Sequence, residues 1–377
     1  MALLTNSMFS WRRDTRTINK IKTPNQLLQN WLFSAERFNI TDYIELTKLS
    51  GGREIPAMVK KGSRAQLIKG FGRDIDQIMP PTLRYKMEIS PGKYINNPSN
   101  GVGGGLVEDD GVVLSEAERL IAQDLLRFEH NFVNTVEWMC GQALSRKIIY
   151  SDTTNQGSTL TPKEDTMSFQ VTYPKDALST LTSVSGATAW GTADPAVMLR
   201  TAKSNYVELN GVVPTDLILG ANVGAAIAGN TLLIGNFNQT ITGNPGLTNN
   251  GPMVVAGDPR LDGSIFEGRY AGLNWFTYPR KVTLLNSDMS VAASEFVIDP
   301  DSAYLVSNLT TTEDFGIEYG GVEDYEAIQE GNMRTKRFTK TIVEGDPSAV
   351  YRVAESRPIP VLYNSDAVFE LTPLETS

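Results

Sequence analysis

Between Leu114 and about Ile148 the chain carries an apolar stripe that no turn interrupts. Ala117, Ile121, Leu125, Phe128, Phe132, Val136, Met139 and Ala143 recur at steps of four or three, so Ala117, Phe128 and Met139 stand eleven apart. That period is close to the natural pitch of an α-helix and keeps one face aligned along a nearly straight rod. Ser115, with Glu118 three residues on, makes a capping box at the start. The only glycine in the stretch is Gly141, near the far end. Leu120, Leu126, Val133, Cys140 and Leu144 widen the stripe, while Arg119, Gln123, Arg127, Asn131, Asn134 and Gln142 stay polar. At about 1.5 Å per residue, roughly 33 residues span about 50 Å, longer than a compact enzyme needs. Such a helix is most often plain core, and the charged-flank heptads of a coiled coil are missing. Its surroundings decide its role.

Those surroundings hold little catalytic material. His130 and Cys140 are each the single residue of their type, which leaves too few ligands for an ordinary zinc site and disfavours a His-activated nucleophile. Cys140 lies on the apolar flank and reads as an inert core thiol; His130 lies near the polar face. No cofactor is expected. A net charge of -9 argues against a protein that coats nucleic acid, since neutralising phosphates takes an excess of Lys and Arg; an acidic wall that merely encloses nucleic acid fits. No apolar run reaches the length of a membrane span. Arg12 and Arg13 are not followed by an apolar stretch, so no export signal is expected.

Residues 1 to about 24 are basic, with Arg12, Arg13, Arg16, Lys20 and Lys22 against Asp14. They read as a tail, or as an arm that orders on a partner surface. After Pro24 a short helical piece carries Leu27, Leu28, Trp31, Leu32 and Phe33. From Tyr43 to Ile89 the apolar residues alternate as in strands, interrupted by Gly62, Gly70 and Gly72 and by Pro80 and Pro81. The pattern predicts a long thin hairpin, with Lys60, Lys61, Arg64, Lys69 and Arg73 clustered near its tip. A two-stranded ribbon is marginal in water, so it has to lie on another molecule. Gly101, Gly103, Gly104 and Gly105 follow no apolar strand and precede Glu108, Asp109 and Asp110, a poor phosphate cradle; they read as a flexible joint.

Beyond the long helix, Met167 to Tyr173 alternates as a strand. Asp194 and Pro195 open a helix to about Val207, Val212 to Leu219 reads as a buried strand, and Asn222 to Ile227 as a short helix. Gly235 to Gly251 is a loop, and strands are expected at Leu273 to Tyr278, Phe296 to Ile298 and Ala303 to Val306. Ala349 to Ala354, Val361 to Tyr363 and Phe369 to Thr372 are expected to return beside the long helix.

Three stretches in this order resemble the lambda-type major capsid proteins of tailed bacteriophages. They are Pro24 to Phe33 leading into the ribbon, Glu116 to Gln123 opening the helix, and Gly345 to Pro347 with Arg357 to Pro360 and Asp366 to Phe369. Trp190 with Asp194 and Pro195, and the strand-helix pair from Val212 to Ile227, are similar as well. The resemblance runs from about residue 20 onward and rests on order and spacing. It implies an α+β fold of the Hong Kong 97 type with an N-terminal arm (1–38) and an extended β-hairpin loop (52–88). A peripheral domain (39–51, 89–190 and 338–377) would hold a spine helix at about 114–148, and an axial α/β domain would span 191–337.

It also implies hexamers and pentamers forming an icosahedral head shell around double-stranded DNA, in the virion after assembly in the host cytoplasm. Scaffolding, portal and decoration proteins would be partners. Arg12, Arg13, Arg16, Lys60, Lys61, Arg64, Lys69 and Arg73 become the expected inter-subunit contacts. Cross-linking through Lys60, Lys61 or Lys69 is not expected in this branch. The competing readings are a tail tube or sheath component and, from another class, a hydrolase built on a carboxylate pair.

Overall fold

The computed structural model describes residues 26–41, 43–50, 72–89, 106–107, 113–114, 116–150, 169–174, 176–182, 190–231, 233, 260, 263–285, 291–329, 334–345 and 348–374. The expected arm up to residue 25, the ribbon tip, Ser115, the Gly101–Gly105 joint and the Gly235–Gly251 loop lie outside these residues.

The long helix is there: α1 covers Glu116–Leu144, 29 residues, or about 43 Å at helical rise. Phe128, Phe132, Val136, Met139 and Ala143 of the stripe are all buried. Residues 136–141 are buried on every side, as expected where a helix runs through a core rather than along it. The helix ends four residues before the expected Ile148. Arg146 takes a left-handed conformation at φ 61° and its N–H returns to Ala143 O at 2.8 Å. Its buried guanidinium then donates to Ser365 O at 2.9 Å and to Val368 O. These carbonyls, far along the chain, fix a turn that local propensity would not choose.

Ahead of α1 come the helical turn Leu28–Leu32, β1 (Glu36–Phe38), β2 (Ile44–Ser50), β3 (Gly72–Ile78), β4 (Leu83–Ile89), β5 (Leu106–Val107) and β6 (Val113–Leu114). Behind it come β7 (Lys147–Tyr150), β8 (Phe169–Thr172), β9 (Thr180–Thr182), α2 (Ala196–Asn210), β10 (Asp216–Leu219) and α3 (Ala221–Ala228). Next are β11 (Ile265–Tyr270), β12 (Leu273–Thr277), β13 (Lys281–Leu285), β14 (Val291–Phe296), β15 (Ala303–Val306) and α4 (Thr311–Asp314). The chain closes with β16 (Phe315–Tyr319), α5 (Tyr325–Gln329), β17 (Phe338–Gly345), β18 (Ser348–Ser356), β19 (Pro358–Leu362) and β20 (Phe369–Thr372).

A six-stranded sheet in the order β11-β12-β10-β15-β20-β9 forms the middle layer. Successive side chains of a strand point to opposite faces, and here both faces are buried. Leu217, Leu219, Ala303 and Leu305 join a core with Trp190, Leu199, Tyr206 and Trp275. Ile218, Tyr304 and Val306 join a second core with Val136, Met139, Cys140 and Leu144 of α1. The continuous apolar runs that read as buried strands follow from this double burial.

Three sequence expectations are corrected. Leu83–Ile89 is not the return of the ribbon: β4 pairs antiparallel with β18 in a β17-β18-β4 sheet. Leu83, Tyr85 and Met87 on one of its faces pack against Phe128 and Phe132 of α1, so alternation reflects contact with the helix. The ribbon itself is β2 paired with β3, from Ile44 opposite Ile78 to Ser50 opposite Gly72. Phe369–Thr372 does not return beside the spine: β20 joins the six-stranded sheet between β15 and β9, because Phe369 and Leu371 fill the core beside Trp190 and Tyr206. The strand expected at Phe296 to Ile298 is Val291–Phe296 instead, and Val297 leaves it to bond Arg280 O at 2.9 Å.

Candidate assembly joint on the spine helix

Two acids on α1 lie inside the core. Glu137 is fully buried, and four donors converge on its carboxylate. Oε1 accepts the Leu28 N–H at 3.0 Å and the Tyr278 hydroxyl at 2.6 Å. Oε2 accepts the Gln29 N–H at 3.2 Å and Gln29 Nε2 at 3.1 Å. The Leu28 and Gln29 amides stand at the start of a helical turn, where N–H groups lack partners within the helix, and a carboxylate from another helix caps them. Burial raises the Glu137 carboxyl above its ordinary value, and the hydrogen bonds from Tyr278, Leu28 and Gln29 pull against that. The turn is held besides by Trp31, whose ring lies 5.8 Å from that of Phe276 and whose Nε1 donates to Asn308 Oδ1 at 2.7 Å.

Two turns earlier, Glu129 forms an ion pair with Arg337, both nearly without exposure. Burial lowers the Arg337 guanidinium to about 10, still charged at neutral pH. Arg337 precedes β17, so the pair pins the outer sheet to the spine. Arg84 reaches Glu355 across the β4–β18 ladder at 3.6 Å, and burial raises the Glu355 carboxyl while Arg84 lowers it.

The ribbon leaves the body beside these anchors. Asn39 N–H donates to Tyr319 O at 2.8 Å and Gly321 N–H to Thr41 O at 3.4 Å. A Cβ on Gly321 would meet Ile40 O at 2.3 Å, so the chain at the root lies directly on the glycine backbone. Tyr43 and Met79 flank the first ribbon pair, Ile44 opposite Ile78. Phe38, Ile40, Tyr43 and Met79, which lie along the chain on either side of this root, are 40–58% exposed. Large apolar side chains exposed together mark a contact surface more often than singly scattered ones do.

Of the residues expected to touch other subunits, Arg12, Arg13, Arg16, Lys60, Lys61, Arg64 and Lys69 lie outside the described residues. Arg73 falls in β3, opposite Leu49. The sequence reading missed Glu129 and Glu137. The signal was present: Leu125, Glu129, Val133 and Glu137 form an i+4 row that alternates apolar and acidic residues beside the main stripe. Cys140 is buried as expected, with its thiol raised well above the usual value by burial and then by the nearby Glu137; His130 is exposed. No helix among the described residues is long and apolar enough to cross a membrane.

A family model described as phage major capsid protein E matches residues 10–372. Among solved structures, a protein from E. coli CFT073 described as a prophage capsid protein has a TM-score of 0.65 and 17% identity, with 97% of this chain and 99% of that chain covered. A phage-related protein from Bordetella bronchiseptica RB50 has a TM-score of 0.51 and 10% identity, covering 96% of each chain. At such identities the likeness is one of fold. No curated protein matches the sequence.

Proposed function

The chain belongs to the phage major capsid protein E family and is a shell-forming capsid protein of the virion with the α+β Hong Kong 97-type fold, and from that premise we propose that its shell is icosahedral. Hexamers and pentamers of the chain build it, and it encloses double-stranded phage DNA without reading its sequence. The role is structural, without catalytic activity. Assembly takes place in the host cytoplasm on a scaffolding protein, around a portal, and the finished shell offers a surface to a decoration protein.

In this reading residues 1–38 are the arm, 52–88 the extended loop, 39–51, 89–190 and 338–377 the peripheral domain, and 191–337 the axial domain. β4 lies within the loop range but belongs to the outer sheet, which confines the free ribbon to residues before Met79. The observation that carries the proposal is that ribbon. β2 and β3 pair only with each other among the described residues, and a two-stranded ladder needs further contacts to be stable. A neighbouring copy supplies them. Arg12, Arg13, Arg16, Lys60, Lys61, Arg64, Lys69 and Arg73 act there as charge-assisted contacts to a subunit whose net charge is -9. Heterologous contacts whose rotation closes give rings, and rings tile a shell.

Light scattering and negative-stain microscopy of the chain produced with its scaffold test this. Closed isometric shells are expected. Tubes would indicate a tail component instead, and a compact monomer under every assembly condition would overturn the proposal.

A further inference from the structure

We infer that Glu137 is a positioning residue that couples docking of the Leu28–Leu32 turn to the seating of the six-stranded sheet on α1. One oxygen serves both sides. Oε1 holds the Leu28 N–H at 3.0 Å and the Tyr278 hydroxyl at 2.6 Å, and Tyr278 directly follows β12 in the six-stranded sheet. Gln29 holds Oε2 through its backbone at 3.2 Å and its side chain at 3.1 Å, and the same amide reaches Val133 O at 2.9 Å. The axial side grips α1 a second time, through Arg280 Nη2 to Asn134 Oδ1 at 2.6 Å.

A carboxylate has acceptor room for about four donors, and Glu137 receives four while fully buried. Its charge is tolerated inside the core only while enough donors point at it. If Tyr278 withdraws, the ion loses its closest donor and gains no water. If the turn withdraws, Tyr278 is left on an ion that has lost three donors. Each side is therefore held more firmly when the other is in place. Coupling of this kind is reciprocal: the factor by which one side tightens the other is the same in both directions. The groups facing the carboxylate are Tyr278, Arg280 and, one turn along α1, Cys140.

Backbone hydrogen exchange on the full chain tests the coupling, independently of whether shells form. The variants are Tyr278→Phe and Gln29→Ala, each of which removes a donor and leaves the carboxylate in place. The expected result is that Tyr278→Phe speeds exchange of the Leu28 and Gln29 amides by roughly tenfold, as loss of one buried hydrogen bond would. Gln29→Ala should speed exchange of the Tyr278 amide, which is bonded to Leu219 O, by a similar factor. The double variant should fall short of the product of the two effects. Exchange that changes only on the mutated side, or effects that multiply without interaction, would overturn the coupling. Should Gln29→Ala not fold, Gln29→Glu supplies the second arm: it replaces the donor with a like charge and should loosen the Tyr278 amide further, and an unchanged Tyr278 amide there would equally overturn it.

Discussion

Gly141 sits where α1 crosses the chain leaving β14, and a Cβ there would meet Val297 O at 1.8 Å and Val297 C at 2.6 Å. Alanine is the better helix former by about 1 kcal/mol, but neither backbone can yield without moving α1 away from the chain at Val297. Gly141→Ala is expected to destabilise the chain by about 1–3 kcal/mol, the usual range for overpacking, as read by urea unfolding. The Glu129–Arg337 pair makes a different prediction. Removing one partner strands a buried charge, so Glu129→Leu is expected to cost about 3–5 kcal/mol, while Glu129→Leu with Arg337→Met recovers most of it. Unfolding of both single variants and the double variant measures this, and a double variant as unstable as Glu129→Leu would contradict it. At this scale the sequence was only partly legible. The glycine was visible as the one break in a polar and apolar helix, but nothing local says that a carbonyl lies on it. Glu129 and Glu137 stood out as an acidic row on the helix, but their partners could not be read locally, because these come from Arg337, Tyr278 and the Leu28–Gln29 turn, all far away in the chain.

At the scale of elements, α1 was the most legible feature because its signal is periodic and repeated many times. Its central role gives a direct prediction. Val136 is 1% exposed in mid-helix, and Val136→Pro would remove a backbone hydrogen bond and clash with the preceding turn. A loss of about 3 kcal/mol or more is expected, with no shells in micrographs; normal assembly would mean that the spine need not be continuous. The helix end was read too late because Ile148 continues the apolar pattern, while the stop depends on Arg146 reaching the carbonyls of Ser365 and Val368. β4 and β20 were correctly seen as strands and assigned to the wrong neighbours. Alternation reports which face is covered but not by what, and pairing is set by residues far away in sequence.

At the scale of the whole molecule, the six-stranded sheet is shared by two cores, one of which it forms with α1, and buried acids fasten the outlying pieces. The pH dependence follows from those acids. Burial raises the carboxyls of Glu137, Asp314 and Glu355, so the folded chain holds protons that the unfolded chain has released. Their contribution to stability is complete below the unfolded value and is lost as pH rises through the folded value. The thermal midpoint of the wild type, relative to Glu137→Gln, is therefore expected to rise as pH falls from neutrality toward the ordinary carboxyl value of 4.5. A difference that stays flat over that window would show that Glu137 titrates normally. The larger claim concerns the ribbon, whose two strands pair only with each other among the described residues. Lysine cross-linking on shells assembled from a mixture of isotopically labelled and unlabelled chains tests it most directly. Cross-links from Lys60, Lys61 and Lys69 are expected to join labelled to unlabelled peptides, placing the ribbon on a neighbouring copy. Cross-links from these lysines that always join peptides of the same label would place the ribbon on its own subunit and contradict the claim.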